Sequence, residues 1–138
     1  MASGNHRLTD FAAALGAAQL PRLDAELDAR RAIADMLRPS LPALTFQAEA
    51  PGTRANLQTF GALVPEGASR DETLARLRAA GVEAGKLSYA LGRIETVGPA
   101  SSHPNAEAIA DRGLALPMFG TMDAQGGERI VRALEDVR

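Results

Sequence analysis

Asn56-Leu57-Gln58-Thr59-Phe60-Gly61-Ala62-Leu63-Val64 is followed by Pro65-Glu66-Gly67 and then by Ser69-Arg70-Asp71-Glu72. A strand signal, a turn and a helix start therefore stand in a row. Leu57, Phe60, Leu63 and Val64 lie between the breakers Pro51-Gly52 and Pro65-Glu66-Gly67, so 56–64 reads as a strand. Ser69 and Glu72 make a capping box, in which each side chain satisfies a free backbone N–H at the helix start. The helix carries Leu74 and Leu77 and closes at Gly81, the residue best suited to a left-handed C-cap.

The same alternation continues downstream. Val82 to Ala90 reads as a second strand, weakened by Gly85, and Leu91 to Ser101 as a loop. A short helix follows, with Ser102 as its cap, Pro104 in its first turn and Gly113 beyond its end. Leu114 to Pro117 is a short buried strand that a proline terminates. Thr121 or Asp123 starts a last helix with Ile130, Val131, Leu134 and Val137 on its inner face.

Upstream the pattern is helical. Thr9 or Asp10 caps a helix through Phe11 and Leu15 towards Leu20, and Pro21 predicts a kink or break there. A second segment, 22–37, repeats Leu23, Leu27, Ile33, Ala34 and Leu37 at helical spacing, which marks a buried face. Glu26 and Arg30 sit four apart in the favourable order. Pro39 and Pro42 end the helix, and Thr45 to Thr53 reads as connection. The expected fold is α/β, in the stricter sense α+β. It comprises a small, mostly antiparallel sheet of three to four strands covered by helices, with a long N-terminal helical arm. The loop and arm take residues 1–43 and the small α/β domain residues 44–138.

Composition narrows the function. At 138 residues with 4% aromatics, the chain builds its core from Leu, Ile, Val, Met and close Ala contacts. A net charge of −2 gives no nucleic-acid footprint. No cysteine is present, which excludes a disulfide framework, zinc-thiolate site or thiol nucleophile. No apolar run reaches the roughly 18 residues of a membrane span, and no signal-peptide h-region leads the chain. The expected location is the cytoplasm. Of the 15 cationic side chains only Lys86 is a lysine.

Candidate site residues are few. Asn5 and Arg7 precede the first helix; taken alone they read as a helix-start asparagine and a solvated arginine. His6 and His103 have no carboxylate pair at metal-ligand spacing, so no metal site is expected. Ser101-Ser102 beside His103 invites a triad reading, but no Gly-x-Ser-x-Gly elbow accompanies it and helix capping explains it better. Arg30-Arg31 reads as a solvated face, and Met118-Phe119 as core or subunit contact.

Gly4-Asn5-His6-Arg7-Leu8-Thr9-Asp10-Phe11-Ala12-Ala13 resembles the Asn-aromatic-Arg-Met/Leu-Ser/Thr-Glu-hydrophobic-x-Ala-Ala motif of the DegT/DnrJ/StrS family of pyridoxal-phosphate-dependent sugar aminotransferases. Gln19-Leu20, Leu23, Arg30-Arg31 and 37–41 are similar to that family's next helix, Gly81-Val82 to its Gly-Ile turn, and Leu114 to Pro117 with Thr121-Met122 to its last strand and helix start. The similarity spans the chain in register, but it matches only the C-terminal, small domain of such a fold-type I enzyme. The resemblance implies a large domain carrying the Schiff-base lysine, and Lys86 lacks the strand context the family gives that residue. The chain by itself is therefore expected not to transaminate, and no catalytic residue is assigned.

The resemblance also implies a role for Asn5. In the family the matching asparagine crosses the dimer interface and donates to the cofactor phosphate of the neighbouring subunit, with Arg7 as a further contact. Both are good phosphate donors. Pyridoxal 5'-phosphate would thus be touched only in trans and never held covalently. The implied partner is a lysine-bearing large domain or a full-length homologue, in a homo- or hetero-oligomer such as a dimer. The implied substrate class is a nucleotide-linked keto-sugar or similar cyclic ketone. Tyr89-Ala90-Leu91-Gly92 stands where the family has a Pro-Leu-His stretch, a departure in the substrate loop. Two other readings stay open: a non-catalytic interaction domain that pairs through its alanine-rich arm, and part of a sugar dehydratase on the same fold.

Overall fold

The computed structural model describes residues 8–96 and 101–137. Five α-helices and four short strands are formed among them. The first helix, α1 (Asp10–Gln19), is capped by Thr9, whose hydroxyl accepts from Ala12 N at 3.2 Å. Pro21 lies in a single 3₁₀ turn, Leu20–Arg22, and α2 (Leu23–Ser40) follows at once. The expected break is thus one tightened turn, with helical dihedrals on both sides of it.

Helix α2 differs from expectation at both ends. It runs through Pro39 to Ser40, whose hydroxyl donates to the Met36 carbonyl at 3.0 Å. Its buried face is confined to Ile33, Ala34 and Leu37, whereas Leu23 is exposed and Leu27 half-buried. Glu26 lies beside Gly120, where a Cβ would meet its carboxylate, and the ion pair on this stretch is Asp28–Arg31 at 2.9 Å rather than Glu26–Arg30.

The strands are β1 (Thr45–Phe46), β2 (Phe60–Leu63), β3 (Gly85–Lys86) and β4 (Gly113–Leu116). They form one antiparallel sheet in the order β1-β2-β4-β3, so the last strand in the chain is a central one. β1 lies in the expected connection and is defined by its pairing, Thr45 with Leu63 and Phe46 with Ala62. β2 is shorter than predicted. Asn56 closes an Asx turn on Gln58 N, and buried Leu57 takes a left-handed φ of 49°, so 56–59 cannot be ladder. β3 keeps two of the nine residues expected of it.

Helix α3 (Arg70–Ala79) starts where the capping box placed it, with Ser69 Oγ accepting from Glu72 N at 3.2 Å. It ends as expected, with Gly81 at φ 74° and Val82 N closing onto the Leu77 carbonyl at 2.9 Å. Helix α4 (Pro104–Arg112) runs straight into β4, and α5 (Ala124–Leu134) is capped by Asp123, which accepts from Gly126 N at 2.8 Å.

One face of the sheet carries the core. Phe60, Ala62, Leu114 and Leu116 from β2 and β4 meet Ile33 and Leu37 of α2, Leu77 of α3, and Ile130 and Leu134 of α5. Gly61 and Gly113 face the other way, where a Cβ would collide with Leu87 in both cases and with the Ile109 carbonyl at Gly113. Leu87 therefore packs directly on the sheet backbone, and the last turn of α4 closes onto Gly113.

Candidate functional site

Asn5 and Arg7, the two expected phosphate contacts, lie outside the described residues, as does His6. The description starts at Leu8, one residue before the Thr9 cap of α1. What the structure defines is α1 after them, a helix with no buried residue, joined through α2 to the core.

Lys86, the sole lysine, can be tested as a cofactor anchor. It sits on edge strand β3 opposite Leu114, and its Nζ lies 3.7 Å from Asp71 Oδ1. Arg70 binds the same carboxylate oxygen through Nε at 2.9 Å, and that bond leads the causes holding Asp71 below the ordinary carboxylate range. Lys86 is thus half-exposed and ion-paired at a sheet edge. Such a place suits a solvated ammonium and offers neither a ring pocket nor a phosphate cradle. The described residues do not fit a covalently held pyridoxal group.

Ser101 and His103 do come together, with Oγ and Nε2 3.1 Å apart. The nearby carboxylate does not orient the ring, however. Glu107 Oε1 accepts from the His103 backbone N–H at 2.8 Å, and Ser102 donates to the same side chain. The cap of α4 is therefore His103, satisfied from inside the helix by Glu107, and the expected Ser102 side-chain cap is replaced by that reverse contact. No acid–base–nucleophile relay results.

The densest electrostatic cluster was not anticipated from the sequence. Arg93 grips Asp111 through two bonds, of 2.6 and 3.0 Å, and reaches Glu107 at 3.2 Å. The bonds to Asp111, then to Glu107, push the Arg93 guanidinium up. Asp111 is held low chiefly by Arg93, and Glu107 by the His103 N–H first and Arg93 second. Arg93 is already saturated by two carboxylates, so it fastens the 91–96 loop to α4 rather than waiting for an anion. Arg31 was likewise expected on a solvated face. It donates to the Ala55 carbonyl at 3.2 Å and to Asp28, tying the 47–59 loop to α2. The only sequence signal for these clamps is the strong preference for Arg over Lys.

The concavities carry little chemistry. A hollow of about 460 Å³ on the outer sheet face is lined by Thr45, Thr59, Gly61, Leu63, Leu87 and Ile109, among others, with no titratable group. Another, of about 470 Å³, lies between the end of α3 and the start of α5, with Glu83 and Arg129 on its rim. Among the described residues no three His, Cys, Asp or Glu side chains gather as a metal group, and no helix is long and apolar enough to cross a membrane. Met118 packs against the core and Phe119 is half-exposed.

Solved structures place this geometry in context. TlmJ, an aminotransferase from Streptoalloteichus hindustanus, matches 96% of this chain with 37% of its own, at 26% identity and a TM-score of 0.83. DesV from S. venezuelae, solved with a ketimine intermediate, matches 94% of the chain with 36% of its own, at 24% identity and a TM-score of 0.82. Spr1654 from Streptococcus pneumoniae, described as a sugar aminotransferase and seen in its PMP form, matches 95% with 35%, at 23% identity and 0.83. The fold is that of fold-type I aminotransferases, and the chain spans a little over a third of the length of these relatives. The sequence profile of the DegT/DnrJ/EryC1/StrS aminotransferase family matches residues 1–135. The chain belongs to that family.

Proposed function

We propose that the chain is the small-domain portion of a pyridoxal-phosphate-dependent aminotransferase acting on nucleotide-linked keto-sugars or similar cyclic ketones. The family works with pyridoxal phosphate, and Spr1654 is seen in both its PLP and PMP forms. One observation carries the reading: almost all of this chain is matched by about 37% of an aminotransferase. The lysine-bearing large domain is then supplied by the rest of a longer polypeptide or by a separate chain. Asn5 and Arg7, which precede α1 in the sequence, would donate to the cofactor phosphate of a neighbouring subunit in a dimer. An amide N–H₂ and a guanidinium fork suit that task without any covalent bond from this chain. The cytoplasm is the location proposed, with which a cysteine-free sequence is compatible.

The test is covalent capture. The purified chain is incubated with pyridoxal phosphate, reduced with borohydride and mapped by mass spectrometry. Lys86 is expected to label no faster than a free surface lysine. A stoichiometric, saturable label at Lys86 would overturn the division of labour between two domains. For the phosphate contact, Asn5→Ala in a reconstituted two-domain assembly is expected to weaken cofactor affinity by about tenfold, the worth of one charge-assisted hydrogen bond. Unchanged affinity would remove Asn5 from the site.

A further inference from the structure

The arm is fastened to the body of the molecule only along α2. Among the described residues none before Ile33 is buried, and α1 and the 3₁₀ turn Leu20–Arg22 have no buried residue at all. The first footholds of α2 are Glu26, beside Gly120, and half-buried Leu27. The helical stretch from Asp10 to Arg22 is thus an overhang of about 20 Å. Within it α1 has what a short rod needs: the Thr9 cap at one end, Leu20 N closing onto the Gly16 carbonyl at the other, and five alanines between them.

The foot of the overhang is where the backbone is weakest. Pro21 has no N–H, so the bond back to the Ala17 carbonyl cannot form, and its ring crowds that carbonyl. Leu23 N then closes onto the Leu20 carbonyl, three residues back rather than four. Gln19 (φ −89°, ψ −27°) and Arg22 (φ −97°, ψ −9°) leave the helical mean in the same direction, while Leu20 and Leu23 keep it. A 3₁₀ turn inside a helical run and a proline kink are both places where such a run bends. No side chain from the body braces the turn, since all three of its residues are exposed.

We propose that the Leu20–Arg22 turn is a hinge, about which α1 moves as one rod while α2 and the body stay fixed. The small domain then leaves the angle of its arm to be set by the polypeptide that packs on α1. The hinge is a property of the 138-residue chain and stands apart from the proposed reaction: a body covering α1 in a longer assembly would select one angle from those the turn permits.

The cysteine-free sequence allows paired spin labels in the full chain, with the distance between them read by pulsed dipolar spectroscopy. Ala13→Cys on α1 with Ala32→Cys on α2, both exposed, spans the turn at about 28 Å. Ala32→Cys with Arg78→Cys on α3 lies wholly within the body and is the control. The pair across the turn should give a distance distribution about twice as wide as the control or wider. Pro21→Ala restores the missing N–H and should narrow it to the control's width. Gly16→Ala strengthens α1 itself without touching the turn, and should leave it wide. A narrow distribution across the turn in the parent chain overturns the proposal. A distribution that stays wide in Pro21→Ala, or that Gly16→Ala alone narrows, means that α1 melts instead of pivoting and overturns it too. A control pair as wide as the arm pair does the same, by placing the motion in the body.

Discussion

Helices α4 and α5 are close in length and both are joined to β4 in sequence, yet they are held in opposite ways. α5 presents Gly127, Ile130, Ala133 and Leu134 to the core. α4 has no buried residue at all. In place of an apolar face it is clamped by three arginines. Arg70 donates to the Ala110 carbonyl near its C-terminal end, Arg93 holds Asp111 and Glu107 along its side, and its own Arg112 donates to Val64 O at 2.8 Å. Val64 N returns the bond to the Arg112 carbonyl at 3.0 Å. Burial is non-directional and holds an element wherever its apolar face fits. Directional bonds hold one register only, and they fail one at a time. α4 leads straight into the central strand β4 with Gly113 pressed on its last turn, so register is what it must keep.

The sharpest break between the two comes from equal truncations. Ile130→Ala, at a position 1% exposed, should lower unfolding stability by about 3 kcal/mol, the transfer loss plus an unfilled cavity. Ile109→Ala on α4, at 36% exposure, should cost under about 1 kcal/mol. Urea unfolding with unchanged m-values measures both. Equal losses would mean that α4 has an apolar seat after all.

This contrast also explains what could be read from the residues alone. α3, the closing Gly81 and the Asp123 cap were legible because their signals are local: a hydroxyl or carboxylate three residues before the N–H it accepts. The final helix was legible because an apolar periodicity implies a face. The same logic misled at Leu23 and Leu27, where the period is real but the described residues leave Leu23 exposed and cover Leu27 only in part. β1 and the ends of β2 and β3 depend on pairing across dozens of residues, which composition does not show. The arginine clamps are long-range too. Arg31 meets Ala55 and Arg112 meets Val64 by topology, and an exposed-looking arginine reads the same in both cases. Of the candidate site, Asn5 and Arg7 are candidates from the sequence that lie outside the described residues, and Lys86 is the one lysine. The ion pair that occupies Lys86 required the fold.

A smaller effect is expected where one clamp is removed. Arg112→Ala leaves the buried Val64 carbonyl without its side-chain donor and should cost about 1–2 kcal/mol. Arg112→Lys should recover little, since an ammonium cannot reproduce the Nε–H direction. The readout that distinguishes a clamp from bulk packing is amide exchange: protection should fall first in α4 and β4 while α5 keeps its own. Uniform loss across both helices would instead make Arg112 part of the common core.

The smallest effect is the one tuned by pH. Asp111 and Glu107 are held below the ordinary carboxylate range in the folded chain, by Arg93 and by the His103 N–H with Arg93. A carboxylate with a depressed folded pKa stabilises the fold above its unfolded pKa, and that contribution is lost as the pH falls through the folded value. The Arg93 clamp should therefore be intact at neutral pH and weaken below about pH 4. All three groups are solvent-facing, so about 1 M salt should blunt the same clamp at neutral pH. α5 is held by its buried apolar face, and its exposed Glu128–Arg132 pair lies within the helix, so it should show neither response. Amide exchange of α4 followed from pH 7 to pH 3 is the measurement, with Asp111→Asn as the control expected to flatten the profile. If α4 and α5 loosen together along that titration, general acid unfolding explains the change and the two helices are not held differently.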